Sequence, residues 1–485
     1  MNGAPVHTTT PPQDVSSLSY LVVSGGTGAN SFASAFGPSP AFVLPVSDDG
    51  GSSAEILRCF GGPSIGDIRS RLIRLIPVPT TLVTKEDREL QAIYNLMAHR
   101  FPADVSEKIV RNIWEEVVEG RGDLWNGIGE DKKECIRAHK RFSFRNFSIG
   151  NGFLTGARDL FSNLPSAIFL FKSVAGVNVI PVINTNLQLI IGQCNISHPA
   201  PAQEHAAVSI PGIRDIPLAQ RSRHLRHGLR RDSRTFDTAD SARVTPERGR
   251  TPLPGVDADD DGLLGNIAYT KGQKEEPLEA RIERLFYINL YGQEIFPEPN
   301  NDFFDAIDKR DILVYSCGSL WTSIIPCLAL RSVATALAQS KSLKAKVMLR
   351  KLFGRSDQLT TVNSVNDRET PDYTAMDYID TVANILRHYD VPPPLQTSPD
   401  DVIPWETASF ITHVAYLEGA EVPVDEAAIQ VGSNGSEGDA DADVQARGIS
   451  VVRIPRRVHE TAPGAVPMFS EKTVEWAMAQ VVATL

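Results

Sequence analysis

Leu18-Ser-Tyr-Leu-Val-Val-Ser-Gly-Gly-Thr-Gly28, continued by Ala29-Asn-Ser-Phe-Ala-Ser-Ala-Phe36, is the stretch of sequence that decides the fold. A short, mostly apolar run ends in a glycine-rich turn and passes into a segment of helical character, which predicts a strand-loop-helix unit. Bare backbone N–H groups in such a turn, next to a helix N-terminus, attract anionic phosphate. The turn lacks the lysine of a P-loop and the third glycine of the dinucleotide fingerprint. A simple tight turn is therefore the alternative.

A second buried strand is predicted at 40–46, and it ends in Ser47-Asp-Asp-Gly-Gly-Ser-Ser53. Because the carboxyl ends of parallel strands meet at one edge of a sheet, both turns are expected to face one crevice. The adjacent carboxylates of Asp48 and Asp49 can bind a divalent cation, accept a hydroxyl proton or bond a sugar. The alternative is an acidic turn in which an aspartate caps the following helix.

Further apolar runs extend this pattern to an α/β protein with a mostly parallel sheet flanked by helices. Additional strands are predicted at 177–182, 187–191, 284–289, 311–315 and 345–349. Apolar residues at helical spacing between Lys85 and Gly120 predict two helices that form a cap or side layer, within a helical insertion at about 83–145. Plain core packing is the simpler interpretation of those two helices.

Three further motifs place polar residues where strands end or helices begin. Gly66-Asp-Ile-Arg69 holds Asp67 and Arg69, and a guanidinium suits bidentate phosphate contacts, although a surface ion pair is the alternative. Ser148-Ile-Gly-Asn151 begins an apolar helix, and capping is the default role of Asn151.

The third motif is Tyr315-Ser-Cys-Gly-Ser-Leu-Trp-Thr-Ser323, a strand end followed by a loop rich in hydroxyl groups and then an apolar helix. Hydroxyls and free N–H groups at a helix start predict a second anion site. Ser319 has no histidine base nearby in the sequence, which disfavours nucleophilic catalysis.

Bulk composition excludes several classes of protein. A net charge of −11 over 485 residues argues against a general nucleic-acid binder, since binding of phosphate backbones leaves a basic footprint. Five scattered cysteines without a CxxC pair predict a reducing compartment and no disulfide framework. No secretory signal is expected within Met1–Asp14, and no apolar run is long enough to span a membrane. These features predict a protein of the cytoplasm, with the nucleus as the alternative, and they are compatible with a homo-oligomer without determining the oligomeric state.

Two polar segments interrupt the pattern, and residues 1–16 form a disordered N-terminus in this interpretation. Residues from about 199 to 262 are rich in Pro, Arg, Asp and Ser, and residues from about 432 to 445 are polar and acidic. Such segments bury too little apolar surface to order themselves, so both are predicted to be disordered insertions in one domain, 17–485. His224 and His227 are better explained by a solvated basic loop than by a metal site.

Taken together and in this order, five segments resemble the superfamily that contains the 2-phospho-L-lactate transferase CofD and the bacterial gluconeogenesis factor YvcK. They are Ser24-Gly-Gly-Thr-Gly28, Asp48-Asp-Gly-Gly-Ser-Ser53, Gly66-Asp-Ile-Arg69, Ser148-Ile-Gly-Asn151 and Gly318-Ser-Leu-Trp-Thr-Ser-Ile-Ile-Pro326. A sixth, weaker match is Asn363-Ser-Val-Asn-Asp-Arg-Glu-Thr370 with Tyr373-Thr-Ala-Met-Asp377.

The resemblance implies a Rossmann-like fold and two alternative functions. CofD-like members join 2-phospho-L-lactate, carried on a guanosine diphosphate, to a deazaflavin alcohol, with Mg²⁺. YvcK-like members bind a UDP-sugar and act in regulation. The first implies a nucleoside-diphosphate-dependent transferase that moves a phosphorylated group to a hydroxyl acceptor, and the second a non-catalytic metabolic regulator. The ligand is a nucleoside diphosphate or a nucleotide sugar in either case.

Site roles follow from the resemblance position by position. Asp48 and Asp49 would contact the acceptor hydroxyl or Mg²⁺, as catalytic and metal-binding residues. The residues that would bind the nucleotide and its phosphates are Gly25, Gly26, Thr27, Gly28, Asp67, Arg69, Asn151, Gly318, Ser319, Thr322 and Ser323. Three residues depart from those usual in relatives, namely Ser70, Trp321 and Cys327, and 351–362 is extra sequence before the sixth motif.

Overall fold

A parallel sheet organises the computed structural model of this protein, and the described residues place seven strands in it, all parallel. The structure describes residues 18–26, 28–47, 56, 62–101, 105–130, 132–133, 148–177, 182–183, 190–195, 208–209, 281–288, 294–350, 369–370, 372–391, 405–419, 424–430, 448–459 and 467–485. The strands are β1 (Tyr20–Val23), β2 (Ala41–Leu44), β3 (Val182–Ile183), β4 (Ile190–Asn195), β5 (Val208–Ser209), β6 (Ile282–Ile288), β7 (Glu294–Ile295), β8 (Ile312–Tyr315), β9 (Ala345–Arg350), β10 (His413–Leu417) and β11 (Ser450–Ile454).

Helices occupy both sides of the sheet. They are α1 (Gly66–Arg74), α2 (Lys85–Ala98), α3 (Glu107–Val118), α4 (Ile149–Phe161), α5 (Leu164–Ala175), α6 (Asn301–Lys309), α7 (Ile325–Leu328), α8 (Val333–Gln339), α9 (Ala375–Asp390), α10 (Glu426–Gln430), α11 (Arg456–His459) and α12 (Glu471–Val482). A 3₁₀ segment, Asn30–Phe36, follows β1, and a π-helical turn, Leu320–Ile324, leads into α7. The predicted α/β class is confirmed.

The spatial order of the parallel strands is β11-β10-β9-β8-β1-β2-β3. Strands are present at the predicted positions 40–46, 311–315 and 345–349, with boundaries shifted by a few residues. The strand predicted at 177–182 overlaps β3 at Val182, and 178–181 lie outside the described residues, while those predicted at 187–191 and 284–289 belong to a second sheet. Side chains alternate between the two faces: Leu21 and Val23 pack in one core, while Tyr20 and Val22 pack in the other. Burial on both faces explains why β1 is an almost continuous apolar run in the sequence.

The two cores lie under different helices. On one face, β1 and β8 pack with α6 to α9, and on the other with the 3₁₀ segment and α12. A third cluster joins α1 to α5 beside the end of β2, so the two helices predicted between Lys85 and Gly120 are α2 and α3 of a side layer. A capping box at Thr84 and Asp87 fixes the start of α2.

A smaller antiparallel sheet, in the order β5-β4-β6-β7, was not foreseen as a separate unit. Leu285 and Tyr287 of β6 join the core under α6 to α9. The Tyr287 hydroxyl donates to Pro326 O, which ties this sheet to α7. Its strand β5, Val208–Ser209, falls inside the insertion predicted to be disordered at 199–262, whose other residues lie outside the described part.

Other predicted segments also lie outside the described residues. They are 1–16, 351–362 and the insertion at 432–445, so their predictions are untested. In the described ranges, no single helix is long and apolar enough to cross a membrane, while one bent pair, Leu320–Leu328 with Val333–Gln339, passes by length and composition across a 75° break.

Candidate functional site

Residues 24–28 are called the glycine loop, which follows β1, and its Gly26 packs on the first turn of α1. A Cβ atom at Gly26 would lie 2.4 Å from Asp67 Cα and 2.6 Å from Asp67 O. Backbone atoms cannot give way to a contact this short, so only glycine allows the two segments to approach. The φ of Gly26 lies outside the left-handed region, which means that close approach, rather than backbone conformation, demands the glycine. The structure therefore brings Gly26 and Asp67 together.

The same loop contacts the segment that follows β8. A Cβ at Gly28 would lie 2.2 Å from Cys317 O, and one at Gly25 would lie 2.4 Å from Ser323 Oγ. A Cβ at Gly318 would lie 3.3 Å from Gly25 N. Because β1 and β8 are adjacent parallel strands, their carboxyl ends deliver both loops to one edge of the sheet. Thr322 is half-buried in the π-helical turn of that second loop.

Arg71 lies beneath the glycine loop and was missed by the sequence interpretation. Its side chain is fully buried, and Nη2 donates to Ser24 Oγ and to Gly25 O, each at 3.1 Å. The guanidinium stacks 4.5 Å from the centre of the Phe42 ring. Nε and Nη1 have no hydrogen-bond partner among the described residues. Burial lowers the pKa of Arg71 to about 9, partly offset by the charge of Asp67.

That pKa still leaves Arg71 cationic at neutral pH, so the glycine loop rests on a buried positive charge. A signal for this residue exists in the sequence. In α1 the buried apolar positions are Ile68 and Leu72, and Arg71 falls on the same face at helical spacing. An arginine on the apolar face of a helix is unusual, because burial of an unpaired charge is costly.

Arg69 is held between α1 and the end of α2. Its Nη2 donates to Met97 O at 3.4 Å and to Ala98 O at 3.2 Å, while Nε has no described partner. Burial, followed by the charge of Arg100, lowers the pKa of Arg69 to about 10. Arg69 is therefore a partly buried cation that two carbonyl groups hold in place, and its Nε–H has no described acceptor.

Asn151 reaches the site through the start of α4. The N-cap of that helix is Ser148, so Asn151 is inside the first turn, which contradicts the capping role considered from the sequence. Asn151 is only 2% exposed. A Cβ at Gly150 would lie 2.7 Å from Met97 O and 3.2 Å from Arg69 Cγ. The start of α4 is therefore packed against Arg69.

Glu369 is the second residue that the sequence interpretation left without a role, although it belongs to the sixth motif. The Ser319 hydroxyl donates to Glu369 Oε2 at 2.5 Å. Glu369 is 2% exposed, and the neighbouring Thr370 is fully buried with its hydroxyl 3.0 Å from Tyr378 OH. The Glu-Thr pair thus belongs to the far side of the site, next to Ser319.

The three departures from the family pattern each have a polar contact. Ser70 Oγ accepts from Asn30 Nδ2 at 3.2 Å, and Trp321 Nε1 donates to Tyr373 OH at 3.4 Å. Cys327 Sγ donates to Ser323 O at 3.5 Å, and burial raises the pKa of its thiol. Trp321 thereby contacts Tyr373 of the sixth motif, and Cys327 contacts the loop that follows β8.

Thr27, Asp48 and Asp49 lie outside the described residues, so the structure leaves their predicted roles untested. Within the described residues no group of three or more His, Cys, Asp or Glu side chains could hold a metal ion. Among the described residues, the oxygen atoms close to the glycine loop include the Asp67 carboxylate and the Ser323 hydroxyl. A donor set of this chemistry fits Mg²⁺, which typically takes one or two carboxylates together with substrate phosphates and water.

Comparison with known proteins identifies sequences and structures that are similar to this chain. The model of the family described as 2-phospho-L-lactate transferase CofD matches residues 21–383. An uncharacterized protein of Saccharomyces cerevisiae, YNL011C, is 32% identical over 453 residues, which are 84% of this chain and 92% of the yeast protein. Two crystal structures of protein BH3568 from Bacillus halodurans are 16% identical to this chain. The match to one of them covers 95% of this chain and 98% of the Bacillus chain, with a TM-score of 0.49. The match to the other, which is described as a member of the UPF0052 family, covers 90% of this chain and 92% of the Bacillus chain, with a TM-score of 0.47.

Proposed function

Because this chain belongs to the 2-phospho-L-lactate transferase CofD family, we propose that it is a nucleoside-diphosphate-dependent transferase that moves a phosphorylated group to a hydroxyl acceptor. The observation that carries the proposal is the buried guanidinium of Arg71 directly beneath the glycine loop. A fixed cation beneath a glycine-rich turn is an arrangement suited to an anionic diphosphate.

The diphosphate would lie on the glycine loop, within the electric field of Arg71 and Arg69. Gly25, Gly26 and Gly28 leave no room for side chains on the faces that meet α1 and the loop after β8. Phosphoryl transfer is governed mainly by positioning and by stabilisation of charge, and cations near the transferring group perform both tasks. The fully buried Arg71 and the partly buried Arg69 supply that positive charge.

We propose that Asp48 and Asp49 hold Mg²⁺, or the acceptor hydroxyl, together with oxygen atoms near the loop such as the Asp67 carboxylate. A bound Mg²⁺ would neutralise diphosphate charge. The proposal also places the protein in the cytoplasm, where nucleotide substrates are abundant. The rival proposal is a regulator in which the same cleft binds a UDP-sugar without turnover.

The first experiment is a binding screen by isothermal titration calorimetry on the full chain. GDP, UDP and UDP-N-acetylglucosamine would be titrated with and without Mg²⁺. We expect a nucleoside diphosphate to bind, and Mg²⁺ to strengthen binding. No heat with any of the three compounds under either condition contradicts both the transferase and the regulator.

The second experiment separates these two functions. Asp49→Asn retains the size of the side chain and removes its charge. Turnover would be followed as release of nucleoside monophosphate from lactyl-diphosphoguanosine with a deazaflavin alcohol as acceptor. A transferase should lose turnover in Asp49→Asn while it still binds GDP, whereas a regulator shows no turnover in the wild-type protein.

A further inference from the structure

Ser319 and Glu369 form a hydrogen-bonded pair at the edge of the glycine loop. The Ser319 hydroxyl donates to Glu369 Oε2 at 2.5 Å, and Glu369 is 2% exposed while Ser319 is half-buried. The pair joins residues 50 positions apart in the sequence. Because Ser319 is half-buried and Glu369 is almost fully buried, the serine is the outer member of the pair and the carboxylate the inner one.

The direction of this hydrogen bond limits what Ser319 can bind. A serine hydroxyl has one proton and two acceptor lone pairs. Because that proton is donated to Glu369, the oxygen meets a ligand in the cleft as an acceptor only. Phosphate oxygens are acceptors as well, so they are poor partners for Ser319. A ligand group that itself carries a proton, such as an alcohol hydroxyl, is the matching partner.

Ser319 also lies next to the position proposed for the phosphates. It follows Gly318, at which a Cβ atom would be 3.3 Å from Gly25 N. A hydroxyl that donates to Ser319 would therefore be beside the diphosphate held on the glycine loop. In a transferase this is the place of the attacking hydroxyl, so the inference rests on the proposed function.

We propose that Ser319 and Glu369 form a proton relay for the acceptor alcohol. As the acceptor oxygen forms its bond to phosphorus, its proton passes to Ser319 Oγ, and the proton of Ser319 passes to Glu369 Oε2. The bond from phosphorus to the bridging oxygen breaks, and its electron pair leaves with the nucleoside monophosphate. Ser319 ends as it began, Glu369 holds one proton, and that proton returns to water when product departs.

The enclosure of Glu369 supports this role. With 2% of its surface exposed, the Glu369 carboxylate is reached from the side of the glycine loop through the Ser319 hydroxyl that donates to it. Ser319 is the catalytic residue of the pair, because it touches the acceptor, and Glu369 is a positioning residue that acts through it.

The relay is tested by turnover and binding measured on the same variants of the full chain. Glu369→Gln replaces the carboxylate with an amide of equal size, and Glu369→Asp retains a carboxylate. Ser319→Thr retains the hydroxyl that Ser319→Ala removes. Glu115→Gln, on the exposed face of α3, is the matched control. Nucleoside monophosphate release with the deazaflavin alcohol would be recorded from pH 5 to 9, with GDP affinity and thermal midpoint measured in parallel.

We expect Glu369→Gln to lower turnover by about 10²- to 10⁴-fold, the usual contribution of general base catalysis, and to remove the acidic limb of the pH profile. GDP affinity should change less than about threefold, since the relay makes no phosphate contact. Glu369→Asp and Ser319→Thr should recover part of the turnover, and Glu115→Gln should match the wild-type protein.

Three results would overturn the relay. If Glu369→Gln turns over as fast as the wild-type protein and with the same pH profile, the relay is contradicted but the transferase proposal is not. A phospholactyl ester on Ser319, located by peptide mass spectrometry of the protein incubated with the donor, replaces the relay with covalent catalysis. Absence of turnover by the wild-type protein would contradict the transferase proposal and therefore the relay as well. GDP binding measured in the same samples would then show whether the protein still binds a nucleoside diphosphate at this site.

Discussion

Arg71 Nη2 lies 3.1 Å from Ser24 Oγ, so a side chain of α1 supports the residue at which β1 becomes the glycine loop. The two residues are 47 positions apart, and their contact spans the junction of the sheet with the helical side layer. The same guanidinium holds Gly25 O. The geometry of the loop therefore depends on a charged group that no water molecule reaches.

Removal of this charge is expected to weaken ligand binding and folding together. Arg71→Met should lower GDP affinity by about tenfold or more, about 1.4 kcal/mol, because it removes a buried positive charge beneath the position proposed for the diphosphate. Loss of the donor to Ser24 and Gly25 should also destabilise the fold by about 1–3 kcal/mol. Calorimetry and urea unfolding measure the two effects. Arg74→Met, exposed on the same helix, is the control, and equal effects of both substitutions would contradict the role of Arg71.

The glycines of the site should tolerate a methyl group to different degrees. Gly26→Ala and Gly28→Ala place Cβ 2.4 Å and 2.2 Å from backbone atoms, so the loop must move, at about 1–3 kcal/mol and with loss of GDP binding. In Gly318→Ala the nearest atoms are Ser323 Cβ at 3.2 Å and Gly25 N at 3.3 Å, contacts that need a shift of only a few tenths of an ångström. We expect that variant to retain measurable binding. The opposite order in calorimetry would show that these close contacts do not shape the site.

Arg69 is expected to affect binding more than stability. Arg69→Lys retains the charge but loses the forked donor that reaches Met97 O and Ala98 O. GDP affinity should fall by about tenfold, while the free energy of unfolding changes by about 1 kcal/mol. The comparison of calorimetric affinity with the urea midpoint tests this expectation. A large loss of stability with unaltered affinity would make Arg69 a purely structural residue.

Alkaline pH should destabilise the protein partly through Tyr20. Burial, and then the charge of Asp311, raises the pKa of Tyr20 to about 12 from a model-compound value of 10.0. Between these two pH values the unfolded state loses a proton that the folded state keeps. The stability from this residue is therefore complete below pH 10 and is lost as pH rises through about 12.

Tyr20→Phe isolates this effect from the opposite one expected of Arg71, whose lowered pKa favours folding as pH rises. The Tyr20 hydroxyl has no described hydrogen-bond partner, so the substitution should be neutral or stabilising by up to about 1 kcal/mol at pH 7. Urea midpoints from pH 8 to 11 should fall less steeply in Tyr20→Phe than in the wild-type protein. Identical slopes would mean that Tyr20 titrates alike in both states.

Local patterns predicted much of the fold because they report local physics. The apolar runs at 40–46 and 311–315 became buried strands, since a strand enclosed on both faces needs an uninterrupted apolar sequence. Helical spacing predicted α2 and α3 in the same way. The antiparallel pairing of β4 with β6 was not predicted, because a strand pattern carries no information on the direction or the partner of the strand.

For the site, the sequence by itself determined that a glycine-rich loop follows β1 and a hydroxyl-rich loop follows β8. It also determined that Asp67 and Arg69 lie in the first turn of α1. Parallel pairing then requires these loops to share one edge of the sheet. Only the tertiary structure decided that Arg71 lies under Ser24 and that Glu369 holds Ser319. Such contacts join residues distant in sequence. The spacing of Ile68, Arg71 and Leu72 indicates that Arg71 is buried, but its partner, the side-chain rotamers and the return of the chain before α9 have no local sequence signature.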